Sequence, residues 1–180
     1  RTAQFLYRAA EENFPEARVL NLGGGLGIPD RPGKHRLDFD RLHQSLEAFL
    51  ALHPGRQLWL EPGRYLVAEA GVLLARVTQI KQKGDKRYLG LEIGMNSLIR
   101  PALYGAYHPI VNLSRLHEPP TWKVDVVGPI CESGDVLGHD RWMPATEVGD
   151  VLLIDNAGAY GASMASRYNL REPARELCLP

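Results

Sequence analysis

Cysteine is nearly absent from this sequence, with Cys131 and Cys178 the two instances among 180 residues. They make no disulfide framework, so a reduced, cytoplasmic setting is expected. An excess of either charge is also missing, because Lys plus Arg and Asp plus Glu both number 21. That balance gives no reason to expect nucleic acid or a membrane surface as a partner. Apolar runs of membrane-spanning length are lacking; the longest candidate, Leu66 to Val77, is broken by Glu69 and Arg76. His35, His43, His53, His117 and His139 show no metal-ligand spacing, so no metal is expected. Internal repeats and low-complexity tracts are absent too. The chain opens at Arg1, inside what reads as a helix, and the expectation is a piece of something longer.

What is present begins as an alternation of helix and strand signals. Thr2 to Asn13 carries Phe5, Leu6, Ala9 and Ala10 at helical spacing, and Phe14-Pro15 ends the run. Arg18 to Leu22 is a short apolar strand entering a glycine cluster. A second helix is predicted from about Asp38 to Leu52, with Phe39, Leu42, Leu46, Phe49 and Leu50 on one face and His53-Pro54-Gly55 as its stop. Gln57 to Leu60 is another short strand. This rhythm belongs to a parallel α/β unit. From Gly71 the texture changes: Val72 to Ile80 and Lys86 to Ile93 flank a charged turn at Lys81 to Asp85, the signature of a hairpin. Further strands are predicted at Pro109 to Leu113, Trp122 to Val127 and Asp150 to Asp155. Strands without intervening helices suggest an antiparallel sheet, sandwich or small barrel. The expected division is residues 1–70 as α/β and 71–180 as an all-β domain.

Four motifs carry chemistry. Val127 to Asp135 reads Val-Gly-Pro-Ile-Cys-Glu-Ser-Gly-Asp and puts a soft nucleophile, Cys131, beside a carboxylate, Glu132, at the end of a strand. Its plain reading is a turn with a small cysteine. Gly23-Gly24-Gly25-Leu26-Gly27 follows a strand, where clustered N–H groups can approach a phosphate. The spacing is not that of a dinucleotide loop, and a tight structural bend is the alternative. Glu61-Pro62-Gly63-Arg64 also follows a strand. In (β/α)8 barrels the loops after the last two strands commonly form a phosphate site, and these two consecutive units match that arrangement. Arg64 and Arg100 have fork geometry suited to a carboxylate. Arg100 and Tyr104 sit in the otherwise apolar stretch Asn96 to Tyr104. Tyr160, within Gly158-Ala159-Tyr160-Gly161, can offer a hydroxyl to a phosphate or simply pack. Tyr107 and His108 read as core or rim residues, and Cys178 as inert.

Taken together and in order, these motifs resemble the fold-type III pyridoxal-phosphate decarboxylases, most closely the diaminopimelate decarboxylase family. The similarity covers essentially the whole chain, as the C-terminal part of such an enzyme. It implies the last strand-helix units of a pyridoxal-phosphate-binding (β/α)8 barrel, followed by the β domain. It further implies pyridoxal 5'-phosphate as cofactor, with Gly23, Gly24, Gly25, Gly63, Arg64 and Tyr160 around its phosphate and Glu61 against its pyridine nitrogen. By the same resemblance Arg64, Arg100, Tyr104 and Tyr160 lie toward meso-diaminopimelate, and Glu132 takes its distal ammonium. Cys131 would be the proton donor, delivered across a homodimer interface, with L-lysine as product. Asn96-Ser97 and Gly105 depart from the commonest family spelling.

The family's cofactor-tethering lysine lies on the first half of the barrel, which these residues do not include. Lys34, in a loop, Lys81, Lys83 and Lys86, around the hairpin turn, and Lys123, opening a strand, do not replace it. Three readings stay open on the sequence. The chain is part of a diaminopimelate decarboxylase, standing alone or fused to an aspartokinase; of a same-fold enzyme acting on ornithine or arginine; or of a cofactor-free regulatory relative.

Overall fold

Two helices and two short strands form the first unit of the computed structural model, which describes residues 1–179. This unit comprises residues 1–29 and 34–66; a second comprises 30–33 and Val67 onward. In the first, α1 (Thr2–Asn13) and α2 (Phe39–Leu52) accompany β1 (Val19–Asn21) and β2 (Gln57–Trp59). The strands pair in parallel, Val19 opposite Gln57 and Asn21 opposite Trp59. The Asp38 side chain caps α2 by accepting the Arg41 N–H at 3.0 Å. Ala10, Leu20 and Phe49 are buried together, and Tyr7 and Leu58 pack on them. The helical faces are narrower than their periodicity predicts. Phe5 and Phe39 are exposed, and Phe39, at the first turn of α2, meets Tyr65 edge-on instead.

The second unit is built on six strands. A hairpin joins β3 (Leu73–Lys83) to β4 (Lys86–Leu91) through Gly84, whose φ of +59° suits glycine. The helix α3 (Gly63–Val67) leads toward β3, and α4 (Arg100–Tyr104) starts with Pro101 near its N-terminus. Then follow β5 (Ile110–Asn112), β6 (Trp122–Val127), β7 (Val136–Met143) and β8 (Val151–Ile154). The sheet order is β5-β8-β3-β4-β6-β7. All neighbours are antiparallel except β4 and β6, which pair in parallel from Arg87–Val124 to Gly90–Val127. The long segment between them, carrying α4 and β5, lets the chain return in the same direction. The two ends of the order approach each other where Ile110 of β5 faces Gly138 of β7, so the sheet is nearly closed.

Twelve buried hydrophobic residues form the core of this sheet, among them Val77, Leu89, Leu91, Val126, Leu137 and Ile154, against three in the first unit. At about 1.5–3 kcal/mol for each fully buried aliphatic side chain, most of the hydrophobic stabilisation resides in the second unit. The first unit leaves Trp59 57% exposed. A parallel pair normally has cover on both faces and further strands at its edges.

Strand β7 has no counterpart among the strands expected from the sequence, because its alternation is broken. Val124 pairs with Arg141 and Val126 with Gly138, so three steps on β7 match two on β6. That is a β-bulge, and Asp140 sits in it at φ +53°. Asp125 holds the bulge by accepting the Asp140 N–H at 2.8 Å. Beyond the bulge the alternation flips, so Arg141 points inward and Trp142 outward.

His108, which precedes β5, is 3% exposed and its Nδ1 lies 2.8 Å from the Asp155 carbonyl. Burial depresses its pKa below 6.5, and Arg100 and Arg141 push the same way, while the carbonyl bond opposes them. The unfolded chain therefore binds more protons than the folded one between the depressed value and about 6.5. Stability rises with pH across that window and is lost as pH falls through it. Denaturant unfolding at pH 7 and pH 5 should show this loss, and His108→Gln should flatten it. An unchanged pH slope in the variant would assign the effect elsewhere.

Candidate active site

Three clusters collect the residues singled out by the sequence. The first lies at the ends of β1 and β2. Asn21 closes β1; its Oδ1 accepts the Gly23 N–H at 2.8 Å and its amide donates to Glu61 Oε1 at 2.5 Å. The Glu61 N–H in turn donates to the Gly23 carbonyl at 2.8 Å. Gly23 and Gly25 hold φ of +68° and +89°, and a Cβ on Gly24 would lie 2.5 Å from the Glu61 carbonyl oxygen. Only glycine lets the two loops meet so closely. The result is a glycine loop with a carboxylate fixed beside it. Gly63 and Arg64 follow at once as the opening of α3, not as an open loop. Asn21 escaped the sequence reading; its signal is a strand-ending amide directly before a glycine cluster.

The second cluster gathers Arg100, Tyr104 and Tyr160. The Arg100 guanidinium lies 6.0 Å from the Tyr104 ring and 5.5 Å from the Tyr160 ring. Aromatic faces of this kind steady a guanidinium without consuming its hydrogen-bonding capacity. Tyr160 adopts φ +60°, rare for a bulky residue. The turn before it is held from behind, since a side chain on Gly158 would collide with the Val67 carbonyl and the Gly71 amide. Tyr104 and Tyr160 both remain exposed.

Cys131 and Glu132 form the third cluster with Tyr168, whose hydroxyl donates to Glu132 Oε1. Ionised, that phenol would face a carboxylate, so the contact raises the Tyr168 pKa and keeps it a donor. Tyr168 is a second residue that the sequence reading missed; an aromatic before Asn169 in a polar turn was its only signal. The loop stands on Asp135. This buried carboxylate accepts the Met95 N–H and the Ile130 N–H, both at 2.6 Å. Gly94 and Gly128 leave the room that it fills. Burial raises its pKa while the two N–H bonds work against the rise. Ile130 is thereby fixed, and the next residue, Cys131, is turned outward as an exposed free thiol. Cys178 is exposed as well and joins none of the clusters.

No group of three or more His, Cys, Asp or Glu suited to a metal occurs among the described residues. Nor is any helix among them long and apolar enough to cross a membrane. The glycine loop and the adjoining Glu61 fit a ring that carries a phosphate and a protonated nitrogen. None of the five lysines stands at the end of β1 or β2: Lys34 lies further along the β1–α2 connection, Lys81, Lys83 and Lys86 in the β3–β4 hairpin and Lys123 in β6.

A nearly closed sheet and a glycine loop with a fixed carboxylate are the features to set against known families, and a family of pyridoxal-dependent decarboxylases is the match. The model of the pyridoxal-dependent decarboxylase, C-terminal sheet domain, matches residues 18–158, and the chain belongs to that family. Within it, the chain is similar to the diaminopimelate decarboxylase of Methanothermobacter thermautotrophicus, at 42% identity over 176 residues. That match takes in 94% of this chain and 41% of the relative. The Escherichia coli K12 diaminopimelate decarboxylase is 38% identical, with 92% and 43% covered. The solved Methanocaldococcus jannaschii diaminopimelate decarboxylase in complex with L-lysine superposes with a TM-score of 0.82 at 41% identity, covering 94% of this chain and 39% of that one. A lysine/ornithine decarboxylase of Vibrio vulnificus, at 22% identity and a TM-score of 0.78, shares the fold. The chain spans about 40% of the length of the curated relatives it matches.

Proposed function

We propose that this chain supplies the cofactor-phosphate loop, the substrate grip and the acid of a decarboxylase that converts meso-2,6-diaminopimelate to L-lysine and CO2. The observation that carries this reading is the Cys131–Glu132 pair, fixed on one anchored loop, in a chain that also gathers Arg100, Tyr104 and Tyr160. Gly23, Gly24, Gly25, Gly63, Arg64 and Tyr160 would hold the phosphate of pyridoxal 5'-phosphate, and Glu61 its pyridine nitrogen. Bound there, the cofactor supplies an electron sink for the pair left when the carbon–carboxylate bond breaks. Glu61, oriented by Asn21, keeps a proton on the ring nitrogen. Arg64, Arg100, Tyr104 and Tyr160 orient the substrate, the arginines against its distal carboxylate and Glu132 against its distal ammonium. Cys131 Sγ gives its proton to the carbon that has lost CO2. An ornithine or arginine substrate has no distal carboxylate and would leave the arginine grip unused.

Under the same proposal the acid loop serves a second subunit, so the enzyme is a homodimer with shared sites in the cytoplasm. The first half of the barrel, with its tethering lysine, comes from protein outside this chain. That half would also complete the parallel pair β1–β2 and cover Trp59. Lysine formation from meso-diaminopimelate by the isolated chain, and by the chain mixed with a barrel half supplied as a separate polypeptide, tests the reading. The isolated chain should show no turnover and no borohydride-trapped lysine adduct with pyridoxal phosphate at an active-site position. Hydrogen exchange across Val19 to Leu60 should slow when the barrel half is added, and activity should return. Turnover by the chain alone would overturn the division of labour. Preference for ornithine or arginine in the mixture would overturn the substrate.

A further inference from the structure

Arg141 is a buried cation whose hydrogen-bonding capacity is only partly used, with Tyr107 as its neighbour. It is 8% exposed, and its Nε and Nη1 have no hydrogen-bond partner among the described residues. Leaving N–H groups of a buried guanidinium without acceptors is costly, and proteins rarely tolerate it unless a partner fills the gap. The surroundings are built around the group. The β7 bulge turns Arg141 inward, and Gly138 clears its path, since a Cβ there would lie 2.5 Å from Arg141 Nε. The guanidinium stacks on Tyr107 with its central carbon 3.5 Å from the ring centroid. Arg31 approaches the same ring at 5.3 Å.

Beside these groups lies a cavity of about 310 Å³, bounded by Arg31, Ala102, Tyr107, Gly134, Val136 and Arg141 among others. No Asp or Glu lines it; His139, also on its wall, is bonded to Asp125. Two guanidiniums thus face a space with no counter-charge. Burial lowers the Arg141 pKa and Arg31 adds to that pressure, while the Tyr107 hydroxyl opposes both.

We propose that this cavity is a carboxylate-binding site, in which Arg141 and Arg31 receive an anionic group while Tyr107 braces the guanidinium. The carboxylate comes either from a small molecule or from an acidic side chain of protein beyond these residues. The site uses none of the residues assigned above to decarboxylation, and its test does not require turnover.

Thermal unfolding of the 180-residue chain in sodium acetate and in sodium chloride of equal ionic strength reads the site directly. Acetate should raise Tm saturably, by about 4 °C or more over chloride. Arg141→Met should lose that response. In chloride it should be at least as stable as the parent, because an unpaired buried charge has gone. A response to acetate equal to that to chloride in the parent chain would overturn the proposal. So would an equal drop in Tm for Arg141→Met in both salts, which marks a purely structural arginine. Should that variant fail to fold, Arg31→Ala replaces an exposed residue and should raise the half-saturating acetate concentration at least threefold; an unaltered curve overturns the proposal. Repeating the titration with the barrel half bound separates the sources. A persisting acetate response indicates a free ligand, whereas an abolished response, with Arg141→Met now destabilising, indicates a side chain already in the cavity.

Discussion

Glutamine in place of Glu132 is expected to lower kcat/KM for meso-diaminopimelate by roughly 10²–10³-fold in the assembled enzyme, with cofactor binding unchanged. Removing one member of a buried, hydrogen-bonded charge pair costs about 2–5 kcal/mol, and each factor of ten in rate takes about 1.4 kcal/mol. Glu132 is exposed in this chain; under the proposed function, the desolvation that makes the pair valuable would arise when substrate and a second subunit close over it. The Tyr168 hydroxyl occupies only Oε1, which leaves the other oxygen for an ammonium. Tyr168→Phe should therefore have a smaller effect than Glu132→Gln, since it removes a brace and not the charge. Steady-state kinetics over a range of substrate concentrations decides the matter. A Glu132→Gln value within threefold of the parent would mean that Glu132 does not hold the substrate.

The residues that turn out to matter divide according to what a one-dimensional pattern can carry. Glycines and prolines punctuate the chain where the backbone turns tightly or approaches another segment, so the loops at Gly23, Gly128 and Gly158 were legible, whereas Gly63 opens a helix. The structure gives the reasons: Gly24 touches the Glu61 carbonyl, Gly128 faces Asp135, and Gly158 presses on the 67–71 backbone. Helices α1 and α2 and the β3–β4 hairpin were legible through their periods and turn. Strand β7 was not, because a bulge adds one residue and destroys the alternation by which strands are found. The parallel pairing of β4 with β6 was also hidden, since strand direction depends on the crossover and not on composition. Asn21, Asp135 and Tyr168 escaped for a related reason. Each acts through a partner distant in sequence: Asn21 on Glu61, Asp135 on Met95 and Tyr168 on Glu132. Arg141 is the sharpest case, an arginine turned inward by a bulge the sequence does not announce.

Cys131→Ala should slow turnover by about 10²–10⁴-fold, the usual contribution of a positioned proton donor, while the cofactor's absorbance persists. The thiol projects from a loop whose base is clamped. Asp135 fastens Ile130 to the segment that begins at Met95, so Cys131 has a fixed origin but no cover from its own unit. A rigid base with an outward-facing tip is what a group needs if it acts in a site that another subunit completes. This geometry gives the prediction its second part. A dimer that pairs Cys131→Ala with a subunit disabled at the tethering lysine contains one site with both an intact lysine and an intact thiol, provided the thiol crosses the interface. Mixing and reassembling the two variants, each nearly inactive alone, should then recover up to about a quarter of the parent rate per subunit, from the half of dimers that are hybrid and the single working site in each. If the thiol serves its own subunit, the hybrid holds one site lacking the lysine and one lacking the thiol, and mixing adds nothing. Activity in the mixture no greater than the sum of the parents would place Cys131 in its own subunit's site, and a Cys131→Ala rate equal to the parent's would remove it from the proton transfer altogether.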